Sequence, residues 1–157
     1  MYQGDKDFKK EMMKRDPRLY ATIDTTELRL PSVAAVYATS GYFANRFVNP
    51  TLINAAGGKS YTNITDAPVM KLNEVMMNYI EAAAELATLG KYTLTQADFD
   101  LTINALRKRP STNMPALQLV GDALHVPAGE IKDSQRQANV SPILWEIRRE
   151  RRVELVY

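Results

Sequence analysis

The chain contains no cysteine. That absence excludes a disulfide framework, thiolate metal ligands, a thiol nucleophile and cysteine lipidation within these 157 residues. It leaves the compartment open. Histidine is nearly absent as well: the single one, His125, lies between Leu124 and Val126 in a proline-bounded stretch. Neither a histidine metal cluster nor a Ser-His-Asp site finds partners at usable spacing, so no metal, no cofactor and no catalytic residue is expected. No stretch approaches the roughly 18 apolar residues that a membrane-spanning helix needs. Residues 57–60, Gly-Gly-Lys-Ser, imitate the tail of a phosphate-binding loop, but the motif's earlier glycine and its strand-to-helix setting are missing. Charge of one sign is also scarce. Twenty basic residues stand against 18 acidic ones, a net +2. Dedicated nucleic-acid or anionic-membrane binders carry a concentrated basic face instead, and neither partner is expected here.

What is present is ordinary globular composition, 45% apolar and 24% charged. A chain of this length can bury about two thirds of its unfolded surface. Residues 1–67 read as irregular, with a short helix over 5–14 on Phe8, Met12 and Met13. Short strands are expected over 19–23, 33–37 and 41–48, followed by a long polar loop through GGKSYTNITDAP. The N-terminal twenty residues have no apolar centre and do not resemble a signal peptide.

Residues 68–109 read as two helices joined by a short turn. The first has Asp66 as N-cap, Pro68 in its first turn and Gly90 as its stop. Its apolar stripe is expected on Val69, Leu72, Val75 or Met76, Tyr79, Ala83 and Leu86. The second starts at Thr95, whose hydroxyl can cap Asp98, and ends at Arg109 before Pro110, with Phe99, Ile103 and Leu106 inward. Such an αα-hairpin is the unit of helical repeat arrays and needs partners to cover both faces. Residues 110–140 return to loop, rich in proline and glycine. A last helix over 141–157 is capped by Ser141 with Pro142 at its first position, and Trp145 is expected in the core. It stops at Val156-Tyr157 with no cap or polar tail, from which a segment of a longer protein is expected.

Two charge features remain. Glu74, Glu81 and Glu85 lie near one face of the first helix, where Glu74 and Glu81 are expected to meet arginines of a neighbouring helix rather than act as paired catalytic acids. In RRERR, residues 148–152, interleaved Glu146, Glu150 and Glu154 point to ion pairing, with Glu146 in reach of Arg149.

The order of several motifs then resembles a known family. Asp16-Pro17-Arg18-Leu19 is followed by Ser40-Gly41-Tyr42 and Arg46-Phe47. Next come residues 68–75 (PVMKLNEV), 78–82 (NYIEA), 103–109 (INALRKR) and 146–155 (EIRRERRVEL). This ordered set resembles the SusD/RagB family of outer-membrane nutrient-binding lipoproteins. The resemblance implies a mainly α fold of tetratricopeptide-like helical hairpins with long irregular loops and a few short strands, of which 1–157 would be one partial domain. It also implies a non-enzymatic role: holding oligosaccharide at the cell surface for a SusC-like TonB-dependent transporter, with any lipid anchor outside these residues. A glycan surface needs flat aromatic faces beside amide or carboxylate groups, for which Tyr61, Asn63 and Tyr37 are the candidates. The alternative is a helical-repeat scaffold that binds another protein or peptide. Hairpin physics favours neither.

Overall fold

The computed structural model describes residues 8–24, 42, 44 and 68–156. The chain divides into two compact units, Met1–Val69 with Tyr157, and Met70–Val156. In the first unit, α1 spans Phe8–Met12, inside the expected helix. Residues 19–23, expected as a strand, instead belong to α2, Arg18–Thr22. Local chemistry explains the correction. Pro17 pre-sets a helical φ, and the Asp16 carboxylate accepts the Arg18 N–H at 3.0 Å and the Arg18 Nε–H at 2.9 Å. A turn so started outweighs the weak strand preference of Leu-Tyr-Ala-Thr-Ile. Ile23 then turns extended and bridges Ala44. The Tyr42 hydroxyl donates to Glu11 at 2.9 Å, and that of Tyr20 to the Met12 carbonyl at 2.8 Å. The strand expected over 33–37 and the polar loop before residue 68 lie outside the described residues, as does nearly all of 41–48.

The second unit opens with α3, Leu72–Thr88. It begins later than expected, with Lys71 as N-cap; Asp66 lies outside the described residues, and Pro68 precedes the helix. Val69, Met70 and Leu72 touch no core, and propensity alone does not sustain an extra turn. The C-terminus is as expected. Gly90 adopts φ +66°, its N–H bonds to the Ala87 carbonyl (3.0 Å), and the Lys91 N–H reaches back to Leu86 (2.9 Å), the paired bonds of a Schellman ending.

The buried face of α3 differs from the expected stripe. Met77, Ile80, Ala83 and Ala84 are inside, while Val69, Leu72, Val75, Tyr79 and Leu86 are exposed. Of the expected residues only Ala83 is buried, with Met76 packed at the core's edge. The true stripe is rotated by about one residue, or ~100°. Because α3 is apolar round most of its circumference, periodicity admits two solutions. Packing against α6 (Pro142–Leu155) selects the one carrying small Ala83 and Ala84.

The second helix is capped by the Thr95–Asp98 box and buries Phe99, Ile103 and Leu106 as expected. It is not continuous: α4 (Gln96–Leu101) and α5 (Ile103–Arg107) meet at Thr102, which has φ −117° and ψ −95°. The buried Thr102 hydroxyl donates to the Asp98 carbonyl at 2.6 Å, the back-bonding that bends helices.

Residues 110–140, expected as loop, contain a three-stranded antiparallel meander. Its strands are β1 (Gln118–Val120), β2 (Ala123–Val126) and β3 (Gly129–Glu130), with Leu119 opposite Leu124 and His125 opposite Glu130. Gly121, at φ +62°, sits first in the two-residue turn between β1 and β2, a place that rewards glycine. Two side-chain amides extend the ladder. Asn104 accepts the Leu117 N–H at 2.7 Å and donates to its carbonyl at 2.9 Å; Gln96 accepts the Leu119 N–H at 2.7 Å. Leu117 and Leu124 join Ile80, Phe99, Ile103 and Ile147 in one core. At the head of α6 the Ser141 hydroxyl accepts the Leu144 N–H at 3.2 Å, with Pro142 in the first turn. The described architecture is mainly α, a helical hairpin packed on a third helix with a small meander beside it. No helix among the described residues is long and apolar enough to cross a membrane.

Candidate functional site

The charged face of α6 carries two kinds of arginine, the buried-pair kind and the solvent-facing kind. Glu150 is buried and meets Arg107 of α5 at 2.6 Å, the two side chains 1% and 4% exposed. Arg107 spends a second N–H on the Pro115 carbonyl at 2.6 Å. Removing one partner of so buried a pair strands a charge, at a cost of about 3–5 kcal/mol. Arg149 grips buried Glu146 through two bonds of 2.7 and 2.6 Å and reaches Glu150 at 3.0 Å. Arg109 pairs with Glu154 at 2.6 Å.

Toward α3, Arg148 bonds Glu85 at 2.6 Å and Glu81 at 3.3 Å, and Arg151 reaches Glu81 at 3.4 Å. Glu81 thus meets arginines of a neighbouring helix as expected. Glu74 meets none among the described residues, because Asn73 takes that level of the interface and donates to Glu154 at 2.9 Å. Glu81 and Glu85 of α3 are thus spent on ion pairs, and among the described residues no group of His, Asp and Glu is arranged to hold a metal.

A second polar knot closes the hairpin. The Asp98 carboxylate accepts the hydroxyls of Tyr79 (2.7 Å), Tyr92 (2.9 Å) and Thr95 (2.8 Å), and the Thr95 N–H (2.8 Å). Burial pushes the Asp98 pKa upward, but the bonds from Tyr79, Thr95 and Tyr92 outweigh it and hold the group at about 2. The same arrangement raises the Tyr79 phenol well above its ordinary range, through its bonds to Tyr92 and then to Asp98.

Open space lies elsewhere, around Trp145. The ring packs on the core by one side, and its Nε1–H donates to Asp133 at 2.8 Å. That bond, joined by the Gln135 N–H, holds the Asp133 carboxyl below the usual carboxylate range. Two cavities of about 300 Å³ each share Trp145 and Asp133 as a common wall. One is completed by Glu130, Ile131, Lys132, Arg136, Pro142 and Glu146. The other is completed by Gln137, Arg148, Arg149 and Arg152. An aromatic wall with polar groups converging on it is what a small-molecule site requires, and the volume is at the lower end of the ~300–1,000 Å³ such sites occupy.

The structure therefore corrects the reading of Trp145 as a core residue: it is half-buried and lines both cavities. A sequence signal was available. Arg148, Arg149 and Arg152 follow Trp145 at three, four and seven residues, one face of a helix. Of the residues expected to matter, Glu146 and Arg149 are paired with each other, while Tyr37, Tyr61 and Asn63 lie outside the described residues. His125 is a strand residue in β2, opposite Gln118 and Glu130.

A helical hairpin, a packed third helix and a cavity wall of one aromatic ring among polar groups make up the described unit. The sequence pattern of the SusD family matches residues 29–157, more than four fifths of the chain, and the chain belongs to that family. No curated protein and no solved structure matches it.

Proposed function

We propose that this chain is part of a glycan-binding accessory protein that holds oligosaccharide at the outer membrane for import by a SusC-like TonB-dependent transporter. Membership of the SusD family across residues 29–157 carries the reading. The site chemistry is compatible with it: the glutamates of α3 and α6 that meet arginines act as structural ion pairs, and the open surfaces offer an aromatic ring beside polar groups. On this reading the protein is not an enzyme, needs no cofactor, and is tethered by a lipid anchor outside residues 1–157. Tyr61, Asn63 and Tyr37 are proposed to face the sugar.

Calorimetric titration of an oligosaccharide panel into this chain and into the product of its complete gene tests the proposal. Binding with micromolar to millimolar affinity is expected in at least the complete protein, and Tyr61→Ala lowers it where this chain itself binds. Heat from no member of a broad panel, in either protein, would overturn it.

One observation favours a second reading. Leu72, Val75, Tyr79 and Leu86 form an exposed apolar stripe along α3, suited to packing against another protein. A helical-repeat scaffold for a protein or peptide uses such a stripe, and silence from the sugar panel would bring that reading forward.

A further inference from the structure

The cavity bounded by Trp145, Gln137, Asp133 and the arginines of α6 has a feature the other lacks. Arg148 is committed to Glu81 and Glu85, and Arg149 to Glu146 and Glu150. Arg152, on the same wall, is exposed and has no hydrogen-bond or ion-pair partner among the described residues. The Gln137 side-chain amide is likewise unengaged among them. The Asp133 carboxylate is turned into the Trp145 and Gln135 N–H groups, and its charge is further opposed by Arg149. The cavity therefore presents a fixed indole, one uncompensated guanidinium, a free amide and an already anchored carboxylate.

From this juxtaposition we infer that the Trp145–Arg152 cavity is a binding subsite for an acidic sugar, a pyranose residue that bears a carboxylate. The inference rests on the glycan-binding reading and narrows it to a ligand class and a place. The C–H face of the ring buries against the indole, where apolar area leaves water. Arg152 takes the carboxylate, whose planar pair of oxygens matches the guanidinium fork. Gln137 and Asp133 are left to exchange hydrogen bonds with ring hydroxyls, the amide as donor and acceptor and the carboxylate as acceptor. The tether on Nε1–H holds the ring before ligand arrives, so little side-chain freedom is lost on binding.

Trp145 is the chain's single tryptophan, so its emission reports on the two cavities it lines, and the dependence on Arg152, which lines only this one, separates them. The test titrates an oligogalacturonide and a neutral galacto-oligosaccharide of equal length into the full chain, following tryptophan fluorescence and heat together. The acidic ligand is expected to change the emission saturably and to bind more weakly as salt rises. Arg152→Gln is expected to weaken that binding at least about tenfold, through loss of the guanidinium charge and its two-pronged contact with the carboxylate. Gln137→Ala, also at an exposed position, is expected to weaken it less; unchanged circular dichroism shows that both variants fold. Heat from the acidic ligand without an emission change, or emission indifferent to Arg152→Gln, would overturn the subsite while leaving glycan capture standing. An equal response to the neutral ligand would overturn the acidic selectivity. No binding of either ligand at the cavity, with other sugars bound, removes the subsite alone; no sugar bound at all removes both readings.

Discussion

Asp98 holds the turn of the hairpin with a single carboxylate. It caps α4, anchors Tyr79 of α3 and Tyr92 of the connection, and is only 6% exposed. Its pKa of about 2 lies below the ordinary 3.8, so the folded state favours the charged form. For a carboxylate depressed in this way the stabilisation is complete above the unfolded pKa and is lost as pH falls through the folded one. Stability is expected to decline between about pH 4 and pH 2, by on the order of 2 kcal/mol from this group. Urea midpoints measured across that window check it. Asp98→Asn should flatten this part of the profile; an unchanged slope in the variant would assign the acid sensitivity to other carboxylates. The Thr95–Asp98 relation was legible in the sequence because a capping box is a local, three-residue affair. The two tyrosines were not, since they arrive from 19 and 6 residues away.

Elements were legible in proportion to how locally they are determined. Ser141-Pro142 marks the start of α6 and Gly90 the end of α3, because caps answer to unsatisfied backbone groups within one turn. Gly90 supports a direct prediction. A Cβ there would meet nothing within 4 Å, so Gly90→Ala costs only the left-handed backbone, about 1 kcal/mol. Thermal denaturation should show a drop of a few degrees with unchanged helical content. A much larger loss would mean that the turn after α3 is coupled to packing. The strands β1 to β3 were not legible, although Val120-Gly121-Asp122-Ala123 holds a hairpin signal. Each is two to four residues long, and β1 and the residue before it depend on amides from Gln96 and Asn104, 23 and 13 residues upstream of the groups they bond. The break at Thr102 was hidden for a similar reason: threonine is tolerated in helices unless its hydroxyl turns back, and burial forces that choice here.

Across the whole molecule, the division into two units has a consequence for folding. The buried cluster runs from Met77 to Ile147 and lies wholly in Met70–Val156, so this unit has its own core. Residues 70–156 expressed alone are expected to retain helical circular dichroism and to melt in one cooperative step. A gradual, non-cooperative melt would show that residues 1–69 are needed to complete the fold. The family also belongs to this scale, since it was carried by an ordered set of weak motifs spread from Asp16 to Leu155 and is recovered by the match over residues 29–157. The candidate site divides in the same way. The loop aromatics Tyr37 and Tyr61 were named from composition and the family's needs, whereas the Trp145 cavities depend on where residues 130–137 lie against α6.

Sequence alone determined the existence of α3, of the second hairpin helix and of α6, the caps of α4 and α6, the end of α3, the pairing of most of RRERR and the family. Each is set by near neighbours or by motif order, which the linear chain displays directly. Tertiary structure decided which side of α3 is buried, that 118–130 form strands, and that Trp145 borders open space instead of filling the core. These depend on competition between faces of similar polarity and on partners far away in the chain. Only the packing of α6 against α3 and of the meander against α4 resolves that competition.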